Sequence, residues 1–548
     1  MAENSPTALL NQISSSATGT RPERATPCAS DSKNQGRRPD LATSVWRVAS
    51  ILILAVAAVL RLYQLDVKPL HHDEGVNAFF FLRLFQENFY HYDPANYHGP
   101  TLYYFTLLAS SVSTLFFGDR GLNIFVLRFV PALFGIATVG LVLRLRDHLG
   151  TGAALAAAAL VATSPGAVYF SRDFIHESIF VFLTLALVVA LVRLYERSKP
   201  ALLMLASVLT ALLFATKETA VISIAVLALA LISTILFGSL RRMNDSGGSG
   251  ADLIRQMLDR LGGSRRAALL LMCGIAMFVS LEVIFYSSFL GNYPRGLRDA
   301  LAALRFWAGT GTKEHIHGFA AYYSWLGRDE LPLLLLALAG TAIAAWKRKL
   351  FVLFAGLWAF GLITAYSLIP YKTPWLTLNF VIPLAIVAGY AIEAIYRMLL
   401  GRKKLLAALW FACSAMAMGA MLYESIQLNF YRYDDDRNPY VYAQTRREFL
   451  HLVDEINMIA SRSGAGTQTS IAVMSPDYWP LPWYLRDYAQ AGYYDRISDA
   501  RADIVIGSQP EEGLLTLLLG ADYQRVGAYP LRPGVTLVAF VSRHRASQ

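Results

Sequence analysis

Apolar runs of about twenty residues recur along this chain, and they constrain its fold more than any other feature. They extend from Val45 to Tyr423, and segments such as TAVISIAVLALALISTILFG have no polar face. A helix of about twenty apolar residues spans a hydrocarbon core of roughly 30 Å. A soluble helical protein needs a polar face on each surface helix, which these segments lack. The sequence therefore predicts an all-α polytopic membrane protein with a further small domain.

The composition and the charge pattern support this interpretation. Of the 548 residues, 55% are hydrophobic and 16% are charged, whereas soluble domains average about 25% charged residues. The net charge is +10, but Lys and Arg lie in short clusters between the apolar runs, as in membrane proteins, so we expect no nucleic-acid partner. The cysteines, Cys28, Cys273 and Cys413, have no spacing typical of disulfide frameworks or metal sites.

The basic clusters predict a topology, because cytoplasmic loops are enriched in Lys and Arg. Residues 1–44 are predicted to form a disordered cytoplasmic tail, and 45–424 a transmembrane domain in the cytoplasmic membrane, with an outer loop at 65–122. The N-terminus then lies inside and the C-terminus outside. We predict eleven spans: 45–64, 123–145, 151–170, 175–195, 201–215, 219–238, 267–290, 331–346, 350–369, 375–396 and 405–424.

Two further apolar segments, 73–89 and 101–117, do not fit this count. If 101–117 crossed the membrane, every later basic cluster would move to the outer side. We therefore predict that both segments are helices that lie in the outer interface.

The last part of the chain, 425–548, has a different pattern. TRREFLHLVDEINMIA and EEGLLTLLLG have helical character, while SIAVMS, ADIVIG and VTLVAFV are typical of short buried strands. This alternation predicts a small α/β domain outside the membrane.

Six polar motifs interrupt the apolar runs, and all lie on the outer side of the predicted topology. A single polar chamber at the outer membrane surface would gather them; ordinary capping and loop residues are the alternative for any one motif. The motifs are HHDE (71–74), YHGP (97–100), SRDFIHE (171–177), TKE (216–218), HIHGF (315–319) and YKTPW (371–375).

Asp73 and Glu74 follow the first predicted span, at the start of an interfacial helix. Carboxylates at that position can complement the helix N-terminus. They also suit general base chemistry, in which Asp73 takes the proton of an acceptor hydroxyl that attacks a sugar carbon and Glu74 supports it.

Cations beside the apolar spans are candidates for binding a lipid phosphate, which gains charge when it leaves. Snorkelling toward lipid headgroups is the alternative use of such residues. We predict that Arg172, Lys372 and Lys217 contact this phosphate on a lipid-linked sugar donor. The same motifs supply the predicted substrate-binding residues: His72, His98, Asp173, Glu177, Glu218, Tyr371 and Trp375.

A divalent metal ion is an open alternative, and no cofactor is certain. Its candidate ligands are His71, His72, His315 and His317, but their spacing does not define a closed ligand set. The aromatic stretch YWPLPWYLRDY (478–488) suits sugar contact, although we favour a role in the domain core or in domain docking.

The ordered set of motifs resembles the GT-C glycosyltransferase superfamily. The shared features are a first span followed by an Asp-Glu pair, an interfacial helix and an HGPTLYY-like segment. Within the superfamily the chain is similar to the dolichyl-phosphate-mannose protein mannosyltransferases and to the aminoarabinose transferases that act on lipid A. HHDEGVNAFF, YHGPTLYYFT, YFSRDFIHE, ATKE, YKTPW and YWPLPWYLRDY also resemble the flippase-activity-associated proteins of archaeal glycosylation and their bacterial members. The resemblance covers roughly residues 45 to 545.

The resemblance implies inverting sugar transfer from a polyprenyl-phosphate donor to an acceptor hydroxyl at the outer membrane face, among membrane lipids. Asp73 matches the catalytic acidic position and Glu74 its neighbour, and Arg172 and Lys372 match donor-phosphate contacts. The chain lacks the His-Phe-Gly continuation and the β-trefoil insertion of the protein mannosyltransferases, so a lipid, a glycan or a protein remains open as acceptor.

Two other functions remain open from the sequence. A flippase for lipid-linked sugars would place polar groups near the bilayer midplane, where Glu282 in span 267–290 is the exception among nearly bare spans. A noncatalytic assembly factor for envelope glycans would dock through the aromatic outer domain.

Overall fold

The computed structural model describes residues 41–95, 98–242, 258–310 and 315–546. Most of the predicted tail lies outside these ranges, but residues 41–44 already form the first turn of a helix. The helices before the sheet domain are α1 (Leu41–Leu62), α2 (His72–Glu87), α3 (Thr101–Phe117), α4 (Ile124–Leu143), α5 (Arg146–Leu149), α6 (Thr151–Thr163), α7 (Pro165–Ser171), α8 (Glu177–Arg197), α9 (Pro200–Phe214), α10 (Ala220–Arg242), α11 (Ser264–Tyr286), α12 (Arg295–Thr310), α13 (Ala321–Asp329), α14 (Leu331–Trp346), α15 (Leu350–Leu368), α16 (Leu378–Leu400) and α17 (Lys404–Ile426).

Each of the eleven predicted spans coincides with one or two of these helices. By length and composition, nine helices of the described ranges can cross a membrane, or up to eleven if two bent pairs each count as one span. The prediction of a mostly helical membrane fold is therefore confirmed. Two helices differ from their assignments. Pro200–Phe214, which we predicted as a span, is shorter than the nine helices and is not among them. Thr101–Gly121, which we placed in the interface, is among the nine.

The helix α16 lies at the centre of the bundle, and 83% of its most apolar stretch is buried. It packs against α6, whose AALAAAAL sequence presents small side chains. A Cβ atom at Gly389 would lie 2.5 Å from the carbonyl oxygen of Ala153, so only glycine allows this approach. Without a hydrophobic driving force between helices in lipid, such close backbone packing is a main source of association.

Two bent helix pairs meet at their breaks. The pair α6 and α7 bends by 56°, and the pair α13 and α14 by 108°. Glu330, at the second break, accepts hydrogen bonds from Ser164 Oγ (2.5 Å) and from the Gly166 amide (3.1 Å) at the first. Glu330 Oε1 thus provides an acceptor inside the protein for the Ser164 hydroxyl and the Gly166 amide at the first break.

The segment that connects α1 to α4 ends close to the point where it begins. Arg128, in the second turn of α4, donates to the carbonyl oxygens of Leu65 (3.0 Å) and Lys68 (2.9 Å), which directly follow α1. The segment between them therefore makes an even number of crossings. Because α2 carries several charged residues and is not among the candidate spans, this geometry favours an interfacial position for α3.

The sheet domain consists of α18 (Phe449–Arg462), α19 (Leu481–Tyr484), α20 (Glu512–Leu519), α21 (Arg543–Ala546) and five strands. The sheet order is β2-β1-β3-β5-β4; β1 pairs in parallel with β2 and β3, whereas β5 pairs antiparallel with β3 and β4. The strands are β1 (Ile471–Met474), β2 (Ala491–Tyr494), β3 (Ile504–Ser508), β4 (Tyr523–Arg532) and β5 (Val535–Ser542).

The three strands and both helices predicted in this domain are present. The sequence did not predict β2 and β4, which lie at the two edges of the sheet. Few of their residues are buried, so neither strand has the continuous apolar run that marks β1, β3 and β5.

The topology can be tested with single cysteines in a background that lacks the three native ones. Asp119→Cys, in the turn after α3, and Asp147→Cys, beyond α4, both replace exposed side chains. We expect an impermeant maleimide added to intact cells to label position 119, and to label 147 only after permeabilisation. Labelling of 147 but not 119 in intact cells contradicts the interfacial position of α3.

Candidate active site

A cavity of about 1210 Å³ lies where the ends of many helices meet beneath the sheet domain. Its walls come from the start of α2, from the turns before α3, α8 and α10, and from the connection between α15 and α16. Tyr478, Trp479 and Arg532 of the sheet domain complete it.

Most of the polar residues that we predicted as site residues line this cavity. The structure brings together residues that are up to three hundred positions apart in the sequence, as the hypothesis of a single chamber requires. The lining residues among those predicted are His71, His72, Asp73, His98, Glu177, Lys217, Glu218, His315, Tyr371 and Trp375.

Asp73 lies in the first turn of α2 and is partly exposed to the cavity. His71 is the N-cap residue: its Nδ1 accepts a hydrogen bond from the Asp73 amide at 3.0 Å. In the described residues the Asp73 carboxylate has neither a hydrogen bond nor an ion pair, so its oxygens remain available to a ligand. The helix start therefore holds this carboxylate at the cavity wall without using its acceptor capacity.

Glu74, which we predicted as a second catalytic residue, is buried and does not line the cavity. Its fully buried carboxylate accepts from Arg128 Nε (2.7 Å) and Nη2 (2.7 Å), and from the amides of His71 (2.8 Å) and Phe174 (2.7 Å). Burial opposes ionisation of Glu74, but Arg128 outweighs it and lowers the pKa of the carboxyl. Glu74 is a positioning residue that ties α2 to α4.

Arg172 also lies away from the cavity, which removes the reason to assign it to a donor phosphate. Its guanidinium is buried and donates to the carbonyl oxygens of Leu60 (3.0 Å), Tyr63 (2.8 Å) and Gln64 (2.6 Å). These carbonyls end α1, where intrahelical partners are missing. Arg172 therefore caps a helix.

Lys372 and Asp173 likewise do not line the cavity, and both have partners within the protein. The ammonium group of Lys372 donates to the carbonyl oxygens of His317 (3.1 Å) and Ile369 (2.5 Å), and the side chain is buried. Asp173 forms a buried ion pair with Lys68. Of the three predicted phosphate contacts, Lys217 is thus the one that lines the cavity.

His98, from the described part of the YHGP motif, and Lys217 and Glu218, from the TKE motif, lie on one wall of the cavity. The Gly99 amide donates to Thr216 O (3.1 Å), and a Cβ at Gly99 would lie 2.1 Å from the Ala215 carbonyl oxygen. This approach places His98 Nδ1 2.8 Å from Glu218 Oε2. Burial disfavours ionisation of Glu218, yet His98 outweighs this effect and lowers the pKa of the carboxyl.

Lys217 and Glu177 form a buried ion pair on the same wall, at the start of α8. His176 fixes this corner, because its Nε2 lies 3.0 Å from the carbonyl oxygen of Gly99. The wall therefore presents one ammonium group and two carboxylates to the cavity.

The histidines proposed as metal ligands are dispersed. His315 Nδ1 lies 2.7 Å from the Tyr442 hydroxyl, and the ring of His317 packs against Trp325. Burial lowers the pKa of His72 to about 4, so this imidazole is neutral near pH 7. No group of three or more His, Cys, Asp or Glu side chains within the described ranges is arranged to hold a metal ion.

Several lining residues were missed by the sequence analysis. Arg532 of β4 pairs with Asp477, and its Nη1 lies 3.5 Å from His72 Nδ1. Trp307 of α12 packs against His98 with ring centroids 4.7 Å apart. The aromatic stretch 478–488 divides: Leu481, Trp483 and Leu485 are buried, as predicted, but its first two rings line the cavity.

Part of the chain matches a known protein family. Residues 97–245 match the sequence model of the dolichyl-phosphate-mannose-protein mannosyltransferases. This segment includes His98, Arg128, Glu177, Lys217 and Glu218, and thus one wall of the cavity. No curated protein matches this sequence.

Solved structures extend the similarity to most of the chain. ArnT from Cupriavidus metallidurans bound to undecaprenyl phosphate matches with a TM-score of 0.61 and 15% identity, over 89% of this chain and 97% of ArnT. The oligosaccharyltransferase AglB from Archaeoglobus fulgidus, in complex with an inhibitory peptide and a dolichol-phosphate, matches with a TM-score of 0.53 and 13% identity, over 85% of this chain and 70% of AglB.

The chain therefore has the fold of the GT-C membrane glycosyltransferases, and it is an integral multi-pass membrane protein. This confirms the fold class and the superfamily resemblance that the motifs indicated.

The two neighbouring acids should respond differently to neutralisation. Glu74→Gln leaves Arg128 buried without its counter-ion, and breaking a buried pair in this way costs about 3 to 5 kcal/mol. Asp73→Asn removes no bond of the carboxylate in the described structure. We expect denaturation in detergent to show a large loss of stability for Glu74→Gln and little change for Asp73→Asn; equal stability of both variants contradicts the positioning role.

Proposed function

We propose that this protein transfers a sugar from a polyprenyl-phosphate-linked donor to an acceptor hydroxyl at the outer face of the membrane, with Asp73 as general base. The observation that carries the proposal is the available carboxylate of Asp73 in a cavity at the ends of membrane-type helices.

Asp73 differs from the other two carboxylates of the cavity. Glu177 is paired with Lys217, and Glu218 accepts from His98 and from the hydroxyl of Tyr92 (3.1 Å). Their acceptor sites are thus partly used within the protein. A general base must reach the proton that it takes, at roughly 2.6 to 3.2 Å between heavy atoms. The Asp73 carboxylate lines the cavity without a hydrogen bond or ion pair in the described residues, so an acceptor hydroxyl bound there can approach it to this distance.

The proposed reaction is a single inverting displacement. The acceptor oxygen attacks the anomeric carbon of the donor while Asp73 takes the hydroxyl proton. The bond between the anomeric carbon and the phosphate oxygen breaks, and the bond electrons stay on the polyprenyl phosphate. A cation beside that oxygen stabilises the charge that develops in the transition state. Lys217 is the lining residue that we assign to this role.

An apolar part of the cavity wall suits the lipid of the donor. Val221 and Ile222, in the first turn of α10, and Leu368 and Ile369, at the end of α15, line the cavity close in sequence to polar motifs. Val221 and Leu368 are well exposed. The undecaprenyl phosphate in the ArnT structure supports a donor of this kind.

Asp73→Asn tests the base directly. Loss of a general base typically costs about 100- to 10,000-fold in rate, while the amide keeps the shape of the side chain. We expect purified Asp73→Asn to bind radiolabelled polyprenyl-phosphate sugar like the wild type and to transfer or hydrolyse almost none of it.

The matched control is Asp66→Asn, which neutralises an exposed acid in the same connection but outside the cavity. This variant should retain the rate of the wild type. If Asp73→Asn cleaves the donor at the normal rate, Asp73 is not the base; if the wild type only moves intact donor across vesicles, the protein is a flippase.

The phosphate contact of Lys217 can be separated from its ion pair. The double variant Lys217→Met with Glu177→Gln removes both charges, and a lost charge-assisted contact of about 1.5 to 3 kcal/mol corresponds to roughly 10- to 100-fold weaker binding. Glu177→Gln alone keeps the cation and should bind the donor normally. Unchanged donor affinity in the double variant excludes Lys217 as the phosphate ligand.

A further inference from the structure

The wall next to Lys217 combines three features that the proposed chemistry does not use. His98 and Glu218 form a hydrogen-bonded pair, and the indole of Trp307 packs against the His98 ring in a tilted arrangement, with an interplanar angle of 31°. All three side chains line the cavity. They come from separate segments, namely the turn before α3, the turn before α10, and α12.

Trp307 has an unused donor at this wall. Its Nε1 is buried and has no hydrogen-bond partner in the part of the chain that the structure describes. Buried tryptophan N–H groups usually find a partner, because an unmade hydrogen bond loses the solvation of the group. A ligand with hydroxyl groups in the cavity would supply the missing acceptor.

Glu218 is also suited to bind the hydroxyl groups of such a ligand. Tyr92 and His98 hold its carboxylate, and His98 favours the ionised form. Glu177 adds a second carboxylate, and Lys217 is the ammonium group near both, so this wall carries two carboxylates against one ammonium group. A carboxylate accepts hydrogen bonds from hydroxyl groups but repels another carboxylate at close range.

We propose that Trp307, His98 and Glu218 form the subsite for the sugar ring of the donor, and that this ring carries no carboxylate, which excludes a uronic acid. This inference rests on the proposed function, since the phosphate bound at Lys217 places the attached sugar beside Glu218, the next residue. The indole offers a flat apolar face and one N–H donor, and the pair of His98 and Glu218 orients the hydroxyl groups.

Binding to three lipids tests the subsite: undecaprenyl phosphate, its glucosyl ester and its glucuronyl ester, each with the full-length protein in detergent. We expect the wild type to bind the glucosyl lipid at least about tenfold more tightly than the glucuronyl lipid. Trp307→Phe keeps an aromatic ring but loses the N–H, so it should weaken binding of the glucosyl lipid by about 2- to 10-fold. Its affinity for undecaprenyl phosphate should not change.

Two further variants complete the experiment. Trp346→Phe makes the same replacement at an exposed tryptophan outside the cavity, at the end of α14, and should bind all three lipids like the wild type. Glu218→Gln removes the negative charge of this side chain. It should therefore reduce the difference in affinity between the glucosyl and the glucuronyl lipid.

The outcomes separate this inference from the function on which it rests. If Trp307→Phe binds both the bare and the glucosyl lipid normally, or weakens both equally, the sugar subsite is wrong while the donor assignment stands. Equal wild-type affinity for the glucosyl and glucuronyl lipids overturns the exclusion of uronic acids. If the wild type binds none of the three lipids, the proposed function falls together with the subsite.

Discussion

The buried pair of Glu74 and Arg128 is the interaction on which the site depends. Both side chains are inaccessible to solvent, and each has its charge balanced and its hydrogen bonds largely satisfied. Burying two charges costs much solvation free energy, which is offset only when the geometry is good and further hydrogen bonds are made. Here these bonds reach the segment that follows α1, the start of α2 and the backbone of Phe174. The pair therefore holds together the elements that surround the cavity.

The same pair explains why two adjacent acids have different roles. Consecutive residues of an α-helix point about 100° apart, because one turn contains 3.6 residues. With Glu74 directed into the protein toward Arg128, Asp73 is directed to the cavity, and the N-cap bond from the Asp73 amide to His71 fixes that first turn. One acid thus supplies rigidity and the other remains available for chemistry, which is how a reactive group is kept in place without being consumed by structural bonds.

The sheet domain contributes to the site through the same connection. The Tyr484 hydroxyl accepts from the Leu70 amide at 3.0 Å, and the Gln444 side chain donates to the Pro69 carbonyl oxygen at 2.9 Å. Arg532 and Trp479 reach the cavity directly. A ligand in the cavity therefore contacts both the helical bundle and the sheet domain, and the donor and acceptor of the proposed reaction can meet between them.

The sequence by itself determined the helical membrane fold, the strands β1, β3 and β5, and the motifs that supply most of the polar cavity lining, because apolar periodicity and polar interruptions are local signals. Only the tertiary structure decided which charged residues face the cavity. Glu74 and Arg172 looked as available as Asp73 and Lys217, but the counter-ion of Glu74, Arg128, lies 54 residues away, and the carbonyl partners of Arg172 lie more than 100 residues away. Trp307 and Arg532 reach the site from segments with no motif, since their positions follow from how α12 and β4 pack and not from any local pattern.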